Sequence, residues 1–134
     1  MPKSRGFTLI ELLITISIIA ILSAIGLVAY SSVAKQGRDS KRQSDLRSIQ
    51  SALEQYNSDL GSYPAALPAV GIPLKSPDNT KTYLNQMPGD SDSSRTYYYA
   101  VVGTSYCLYA QLDTLANTNG CAAHLPHTFA LTPP

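Results

Sequence analysis

Charged residues are scarce in this chain. They make up 14% of its 134 residues, whereas ordinary soluble domains contain roughly 25%. The 10 basic and 9 acidic side chains leave a net charge of +1, so no overall excess of charge attracts nucleic acid. A chain of this length forms about one compact domain, which argues against a multidomain enzyme.

Proline is absent from a long N-terminal stretch. Pro2 precedes this stretch, and the next proline is Pro64, so a helix can run through residues 7–63 without interruption. Residues 7–30 also hold a single charged side chain, that of Glu11. At about 1.5 Å per residue they make a helix of roughly 36 Å, enough to cross a hydrocarbon layer of about 30 Å. We therefore expect one membrane-spanning helix followed by one aqueous domain.

A secretory signal peptide is the first alternative for this segment. Lys3 and Arg5 form a basic start, and residues 24–26 offer a small-x-small cleavage site. The apolar run continues past that site, however, and a carboxylate near its start costs about 2.5 to 3.5 kcal/mol if it reaches the bilayer centre. Thr8 and Glu11 fit a capping box that starts a helix. The capping box does not explain why an acid remains beside lipid.

Residues 6–15, GFTLIELLIT, follow a short basic leader. This segment resembles the processing and methylation segment of type IV prepilins and type II secretion pseudopilins. The resemblance implies that a prepilin peptidase cleaves between Gly6 and Phe7 and that Phe7 is then N-methylated. It also implies that Glu11 of one subunit meets the Phe7 amine of a neighbour during assembly. Since a buried ion pair roughly offsets its own desolvation cost, our hypothesis is that Glu11 sets the register of the subunits.

Basic residues on both flanks of the apolar helix leave its orientation open. The resemblance implies a single-pass precursor in the inner membrane with its N-terminus in the cytoplasm. It then implies a place in an extracellular pilus or a periplasmic pseudopilus. The partners it implies are further copies of the chain, other pilins, the prepilin peptidase, a platform membrane protein, an assembly ATPase and, before assembly, membrane lipid.

A helical apolar stripe follows the membrane segment. Its residues are Leu46, Ile49, Ala52, Leu53 and Tyr56, and the polar residues assigned to other directions are Arg42, Asp45, Arg47, Gln50 and Glu54. The pattern predicts one helix over about residues 8–60. We expect an α+β fold, a long N-terminal helix packed on a small C-terminal antiparallel sheet, which is the pilin fold that the resemblance implies. The segments are a leader (1–6), an apolar helix (7–33), its amphipathic continuation (34–60) and a region of loops and sheet (61–134).

The clearest strand signal is a hairpin. Strands over Thr96–Val102 and Ser105–Leu112 flank Gly103-Thr104, which suits a type II′ turn. Pairing Val102 with Ser105 gives one face that should cover the helix stripe, formed by Tyr97, Tyr99, Val101, Tyr106, Leu108, Ala110 and Leu112. Weaker signals predict a strand at Thr82–Asn85 and another at Thr128–Thr132.

Two cysteines, Cys107 and Cys121, lie in the part expected outside the cytoplasm. A disulfide between them would close a loop and stabilise the folded chain by roughly 3 kcal/mol. The loop resembles the C-terminal disulfide loop of many pilins. Two reduced, buried thiols are the alternative. A zinc site with His124 and His127 matches no known finger or ribbon spacing.

Calcium is the one cofactor with any support. Asp90 and Asp92 lie in a Gly/Ser-rich loop, and major pseudopilins of the resembled family bind calcium in this region; an acidic surface turn is the alternative. No phosphate-binding loop or paired nucleophile is present, so we expect no enzyme. The basic run from Lys35 to Arg47 includes acidic residues. It favours an inter-subunit or lipid-headgroup face, and we expect no nucleic acid as a direct ligand.

The sequence is compatible with two kinds of filament. The segments NSDLGSYP (57–64) and YLNQMPGD (83–90) are similar to the major pseudopilin of type II secretion. The cysteine pair instead favours a pilus for adhesion, motility or DNA uptake. A signal-anchored monomeric enzyme or binding module is the distant alternative.

Overall fold

The computed structural model describes residues 6–114 and 128–134. Within these ranges the chain forms one helix and five strands: α1 (Leu9–Leu60), β1 (Leu74–Lys75), β2 (Thr82–Leu84), β3 (Tyr98–Val102), β4 (Ser105–Gln111) and β5 (Thr128–Leu131). The chain divides into two units, Met1–Ala34 and Lys35–Pro134. A long N-terminal helix packed against small antiparallel sheets confirms the predicted α+β pilin-like fold.

Helix α1 spans Leu9–Leu60 and has a defined end. The Gly61 N–H donates to the Asn57 carbonyl oxygen at 2.7 Å, and Gly61 has a φ of 72°. A left-handed residue just past the last helical turn is a common helix C-cap, and glycine adopts it at no steric cost. The predicted span of residues 8–60 is confirmed.

The hairpin has the predicted register. Val102 pairs with Ser105, Gly103 has a φ of 62°, and Thr104 is not among the described residues with positive φ, as a type II′ turn requires. Strand β5 pairs with the other edge of β4, giving the order β3-β4-β5. The first predicted strand was two residues too long at its start, because β3 begins at Tyr98.

A second, two-stranded sheet joins β1 to β2. Strand β2 confirms the strand signal at residues 82–85, but β1 was not predicted. Strand β1 is two residues long and lies in a segment rich in proline and glycine. Its pairing with β2 includes a register shift between Leu74 and Lys75. Periodicity does not identify so short a strand.

The core of the second unit lies between α1 and the sheets. Its buried members are Leu46, Ile49, Ala52, Leu53, Tyr56, Leu74, Met87, Tyr106, Leu108, Ala110, Leu112 and Phe129. The predicted helix stripe is therefore confirmed, as is most of the predicted hairpin face. Val101 departs from the prediction because it lies on the edge strand, where 40% of it remains exposed. The prediction that Arg42 points away from the buried stripe of α1 was wrong, because its side chain is buried.

Candidate assembly site and a buried charge cluster

The N-terminal motif forms a reciprocal cap at the start of α1. The Glu11 N–H donates to Thr8 Oγ1 at 3.3 Å, and Glu11 Oε2 accepts from the Thr8 N–H at 2.9 Å and from the Thr8 hydroxyl at 2.7 Å. This is the predicted capping box. Within the described residues no hydrogen bond reaches Glu11 Oε1, so the carboxylate keeps acceptor capacity for another donor. Gly6 and Phe7, the predicted processing residues, are exposed directly before the cap.

The N-terminal half of α1 presents apolar side chains in every direction. All the large apolar residues from Phe7 to Val33 are more than half exposed: Phe7, Leu9, Ile10, Leu12, Leu13, Ile14, Ile16, Ile18, Ile19, Ile21, Leu22, Ile25, Leu27, Val28, Tyr30 and Val33. Among the described residues α1 is the one helix long and apolar enough to cross a membrane, a test that a signal sequence also passes. An exposed apolar surface of this size marks contact with lipid or protein.

A buried arginine organises a cluster of charges in the second unit. Arg42 is 1% exposed and holds the Asp90 carboxylate through two hydrogen bonds, from Nε at 2.6 Å and from Nη2 at 3.0 Å. Its Nη1 donates to Asp39 at 2.9 Å and lies 3.2 Å from an Asp113 oxygen. Arg42 therefore ties α1 both to the loop before β3 and to the segment after β4.

Asp39, one helical turn before Arg42, caps the end of the same segment. Its two carboxylate oxygens accept from the N–H groups of Asp113 and Thr114 at 2.7 and 2.8 Å, and from the Thr114 hydroxyl at 2.5 Å. The carboxylate is thus saturated with donors, as a buried ion requires. Asp39 and Arg42 were predicted to belong to an exposed inter-subunit or headgroup face. Both side chains are instead buried among their partners.

Two outer arginines complete the cluster. Arg38 donates to Asp113 at 2.9 Å, and its side chain is 41% exposed. Arg95 lies 2.7 Å from the other Asp113 oxygen and 3.8 Å from Asp92. Hereafter the charge cluster means Arg42, Asp39, Asp90 and Asp113 with the flanking Arg38 and Arg95. Its three carboxylates and three guanidinium groups balance in charge.

The acids of the charge cluster stay ionised. Burial of the Asp90 carboxylate acts to raise its pKa, but hydrogen bonds from Arg42 and from the Asp92 N–H outweigh burial and lower the pKa. Burial also acts to raise the pKa of Asp39, but hydrogen bonds led by that from Thr114 outweigh it and lower the pKa. Burial is likewise outweighed at Asp113, where hydrogen bonds from Arg38 and Arg42 lower the pKa. The cluster is therefore a network of full charges at neutral pH.

Sequence reasoning missed the charge cluster. Arg42 lies one turn before Leu46 and three residues after Asp39, so both charges continue the buried apolar stripe toward the N-terminus. That continuation was the available signal. The partners Asp90 and Asp113 lie 48 and more residues away in the chain, and no local pattern connects them to the helix.

The predicted calcium ligands have other partners in the structure. Both Asp90 oxygens accept from Arg42, and Asp92 accepts from the N–H and hydroxyl of Ser94 at 3.0 and 2.7 Å. The described residues contain no group of three or more His, Cys, Asp or Glu placed to hold a metal ion. Calcium binding at Asp90 and Asp92 stays a prediction, and it would require Arg42 to release Asp90.

Only one cysteine of the predicted disulfide lies among the described residues. Cys107 lies on β4 and is buried, although it alternates onto the face opposite the core. Cys121, like His124 and His127 of the zinc alternative, lies outside the described residues. The pairing of Cys107 with Cys121 stays a prediction.

Comparisons with known proteins agree with this geometry. Residues 1–27 match the family model of the prokaryotic N-terminal methylation motif. The chain is 29% identical over 110 residues to type II secretion system core protein G of Pseudomonas aeruginosa, covering 76% of this chain and 77% of that protein. It is 43% identical over 68 residues to fimbrial protein EcpC of Eikenella corrodens, 51% of this chain and 44% of that protein.

Another similar protein is the type IV wide pilus major component PilA4 of Thermus thermophilus, at 39% identity over 75 residues, 54% of this chain and 57% of that protein. The chain thus spans about half the length of EcpC and PilA4. No solved structure matches the chain at a comparable level of significance.

The long helix, the small sheets and the methylation motif define a pilin-like protein. The chain carries the prokaryotic N-terminal methylation motif, and the proteins it is similar to are type IV pilins and type II secretion core proteins G. Pilins and pseudopilins are structural and not enzymatic, which supports the prediction of no enzyme. The methylation motif is consistent with processing by a prepilin peptidase. The apolar helix and the motif are consistent with an inner-membrane precursor that enters a pilus or a pseudopilus.

Proposed function

We propose that the chain is a structural subunit of a type IV pilus-like filament. It is made as a single-pass membrane prepilin, cleaved between Gly6 and Phe7, N-methylated at Phe7 and polymerised head to tail. One observation carries this proposal. The unit Lys35–Pro134 has a closed apolar core of its own, while every large apolar side chain of residues 7–33 is exposed. These side chains need lipid before assembly and neighbouring helices after it.

Glu11 has a separate role in this proposal. Cleavage creates a positive amine on Phe7, four residues before a carboxylate whose Oε1 has spare acceptor capacity. In a bundle of apolar helices, the Phe7 amine of one subunit pairs with Glu11 of the next. A displaced register would leave both charges unpaired in an apolar environment, which costs about 3–5 kcal/mol. A repeated contact of this kind is heterologous and gives an open helical assembly.

The partners follow from the same proposal. The prepilin peptidase acts on the membrane-held precursor, with the N-terminus in the cytoplasm. A platform membrane protein and a cytoplasmic assembly ATPase then move the subunit from lipid into the filament, alongside other pilins.

The first experiment is the intact mass of the chain purified from cells with and without the prepilin peptidase. A mature chain that starts at Phe7 and carries one added methyl group supports the proposal. An unprocessed chain in peptidase-positive cells would contradict it. A start shortly after Gly26 would instead indicate a cleaved signal peptide and a monomeric exported protein.

The second experiment separates the charge of Glu11 from its capping role. Glu11→Ala removes both, whereas Thr8→Ala weakens the cap and keeps the carboxylate. An unpaired amine costing about 3–5 kcal/mol corresponds to more than a hundredfold weaker subunit association. We expect Glu11→Ala to be processed and membrane-held but deficient in filaments, and Thr8→Ala to assemble. Equal filament yields from the two variants would refute the pairing.

A second candidate is a pseudopilin that acts in protein export. The alignment with core protein G of Pseudomonas aeruginosa covers 110 residues, more than α1 and its N-terminal flank contain. The alignment with the type IV major pilin PilA of Myxococcus xanthus, at 34% identity, covers 62 residues and only 28% of that pilin. Electron micrographs of cells separate the candidates, because long surface fibres of this chain exclude a purely periplasmic pseudopilus. Adhesion and motility assays apply to the first candidate, and an assay of exported protein applies to the second.

A further inference from the structure

Strand β3 is an edge strand with a defined outward-facing side. Among the described strands, only β4 lies beside it. In a hairpin with a two-residue loop, the residues flanking the loop form a hydrogen-bonded pair, and bonded pairs alternate along the strands. Tyr98, Ala100 and Val102 therefore bond to β4, while the N–H and C=O groups of Tyr99 and Val101 point away from it. Within the described residues, no backbone hydrogen bond outside the helices and strands involves these two residues.

This edge lacks the features that usually protect one. Natural edge strands carry charges, prolines or bulges that prevent pairing with another chain. Residues 96–112 contain no charged residue and no proline, and the β3–β4 register is regular throughout. The strand is also accessible, since Tyr98, Val101 and Val102 are 45%, 40% and 64% exposed. Strand β3 is therefore a template for strand addition.

We propose that β3 pairs antiparallel with β3 of a second copy of this chain, centred on Ala100. This register aligns all five residues of the strand. Tyr99 of each copy bonds to Val101 of the other, and four backbone hydrogen bonds form through the groups that face away from β4. Tyr98 lies opposite Val102, an aromatic and β-branched pair that stabilises sheets.

The occupant is a second copy because the strand is complementary to itself. Identical charged strands repel each other, but β3 and its flanks carry no charge of either sign. The small side chain of Ala100 suits the centre, where two Cα atoms of a non-bonded pair approach to about 4.5 Å. Bulkier side chains lie to either side of the twofold axis.

The twofold axis decides where this contact occurs. Subunits of a head-to-tail filament share one direction and are related by a screw operation. An antiparallel β3 pair therefore joins unassembled chains, or chains of two filaments that run in opposite directions. Only the contact between two filaments rests on the proposed function. The contact between unassembled chains does not, so the pairing can be measured on the unassembled chain.

The test uses the full chain in detergent micelles and the exchange rates of individual amides over a range of protein concentrations. The amides of Tyr98, Ala100 and Val102 are protected by β4 at every concentration. We expect those of Tyr99 and Val101 to become protected only as the concentration rises. If the exchange rates of the Tyr99 and Val101 amides do not change with protein concentration, whether or not dimers form, the proposal is overturned.

A matched pair of variants tests the same contact. Val101→Pro removes an N–H that faces away from β4, so the hairpin keeps its ladder, whereas Val101→Thr keeps both the N–H and the β-branched shape. Losing two of four intermolecular hydrogen bonds should weaken the dimer by about tenfold to a hundredfold. Dimers of equal stability in the two variants would show association through the apolar helix and overturn the proposal. The intact mass and the filament yield report separately on the proposed function.

Discussion

Replacing Arg42 by alanine should destabilise the second unit strongly. The guanidinium is 1% exposed and contacts Asp90, Asp39 and Asp113 between 2.6 and 3.2 Å. Its removal leaves carboxylates buried without their cation. Breaking a buried ion pair in this way costs about 3–5 kcal/mol, because the remaining charges keep their desolvation penalty. That loss is a large part of the roughly 5–15 kcal/mol that stabilises a typical domain.

Arg38→Ala is the matched control. Arg38 contacts the same Asp113 at 2.9 Å, but its side chain is 41% exposed, and exposed ion pairs contribute about 0–1 kcal/mol. The two variants therefore remove the same functional group from the same network at different burial. If burial sets the magnitude, Arg42→Ala should lower the free energy of unfolding several times more than Arg38→Ala.

The assay is urea unfolding of the full chain in detergent, followed by the near-ultraviolet circular dichroism of the tyrosines. This signal reports on the second unit, because Tyr30 is the one tyrosine outside it. Equal losses of stability in the two arginine variants would show that burial does not set the magnitude. So would an Arg42→Ala loss below about 1 kcal/mol, the level of an exposed pair.

Two further predictions concern the same unit. Because the folded pKa of Asp39, Asp90 and Asp113 lies below the ordinary value of 3.8, their contribution is complete above about pH 4 and is lost as the pH falls toward the folded values. Urea midpoints should therefore drop below about pH 4 in the native chain and less steeply in Arg42→Ala; parallel pH profiles would contradict this. A disulfide between Cys107 and Cys121 should lower the intact mass by two hydrogens, and its reduction should cost roughly 3 kcal/mol of stability. Free-thiol labelling of the denatured, unreduced chain would disprove it.

Local patterns predicted much of the fold. The spacing of Leu46, Ile49, Leu53 and Tyr56 gave the buried face of α1 because a helix repeats every 3.6 residues whatever it packs against. Gly103 gave the hairpin turn and its register because the turn conformation requires positive φ. Strand β1 escaped prediction because two residues carry no periodicity, and their pairing depends on β2.

The candidate site divides in the same way. The candidate assembly residues Gly6, Phe7 and Glu11 lie within six residues of one another, so their capping geometry and exposure could be predicted from the sequence. The charge cluster could not be predicted, because it joins Asp39 and Arg42 to partners 48 to 75 residues away in the chain.

Local sequence specifies the apolar helix, its cap, its end and the β3–β4 register, since each depends on side chains within a few residues of one another. Long-range packing decided which partners surround Arg42 and that, among the described strands, only β4 lies beside β3. The physical reason is that a buried charge is stable only where distant donors and acceptors converge on it. A strand is an edge strand when the fold places a neighbouring strand on only one side of it, and this too depends on distant parts of the chain.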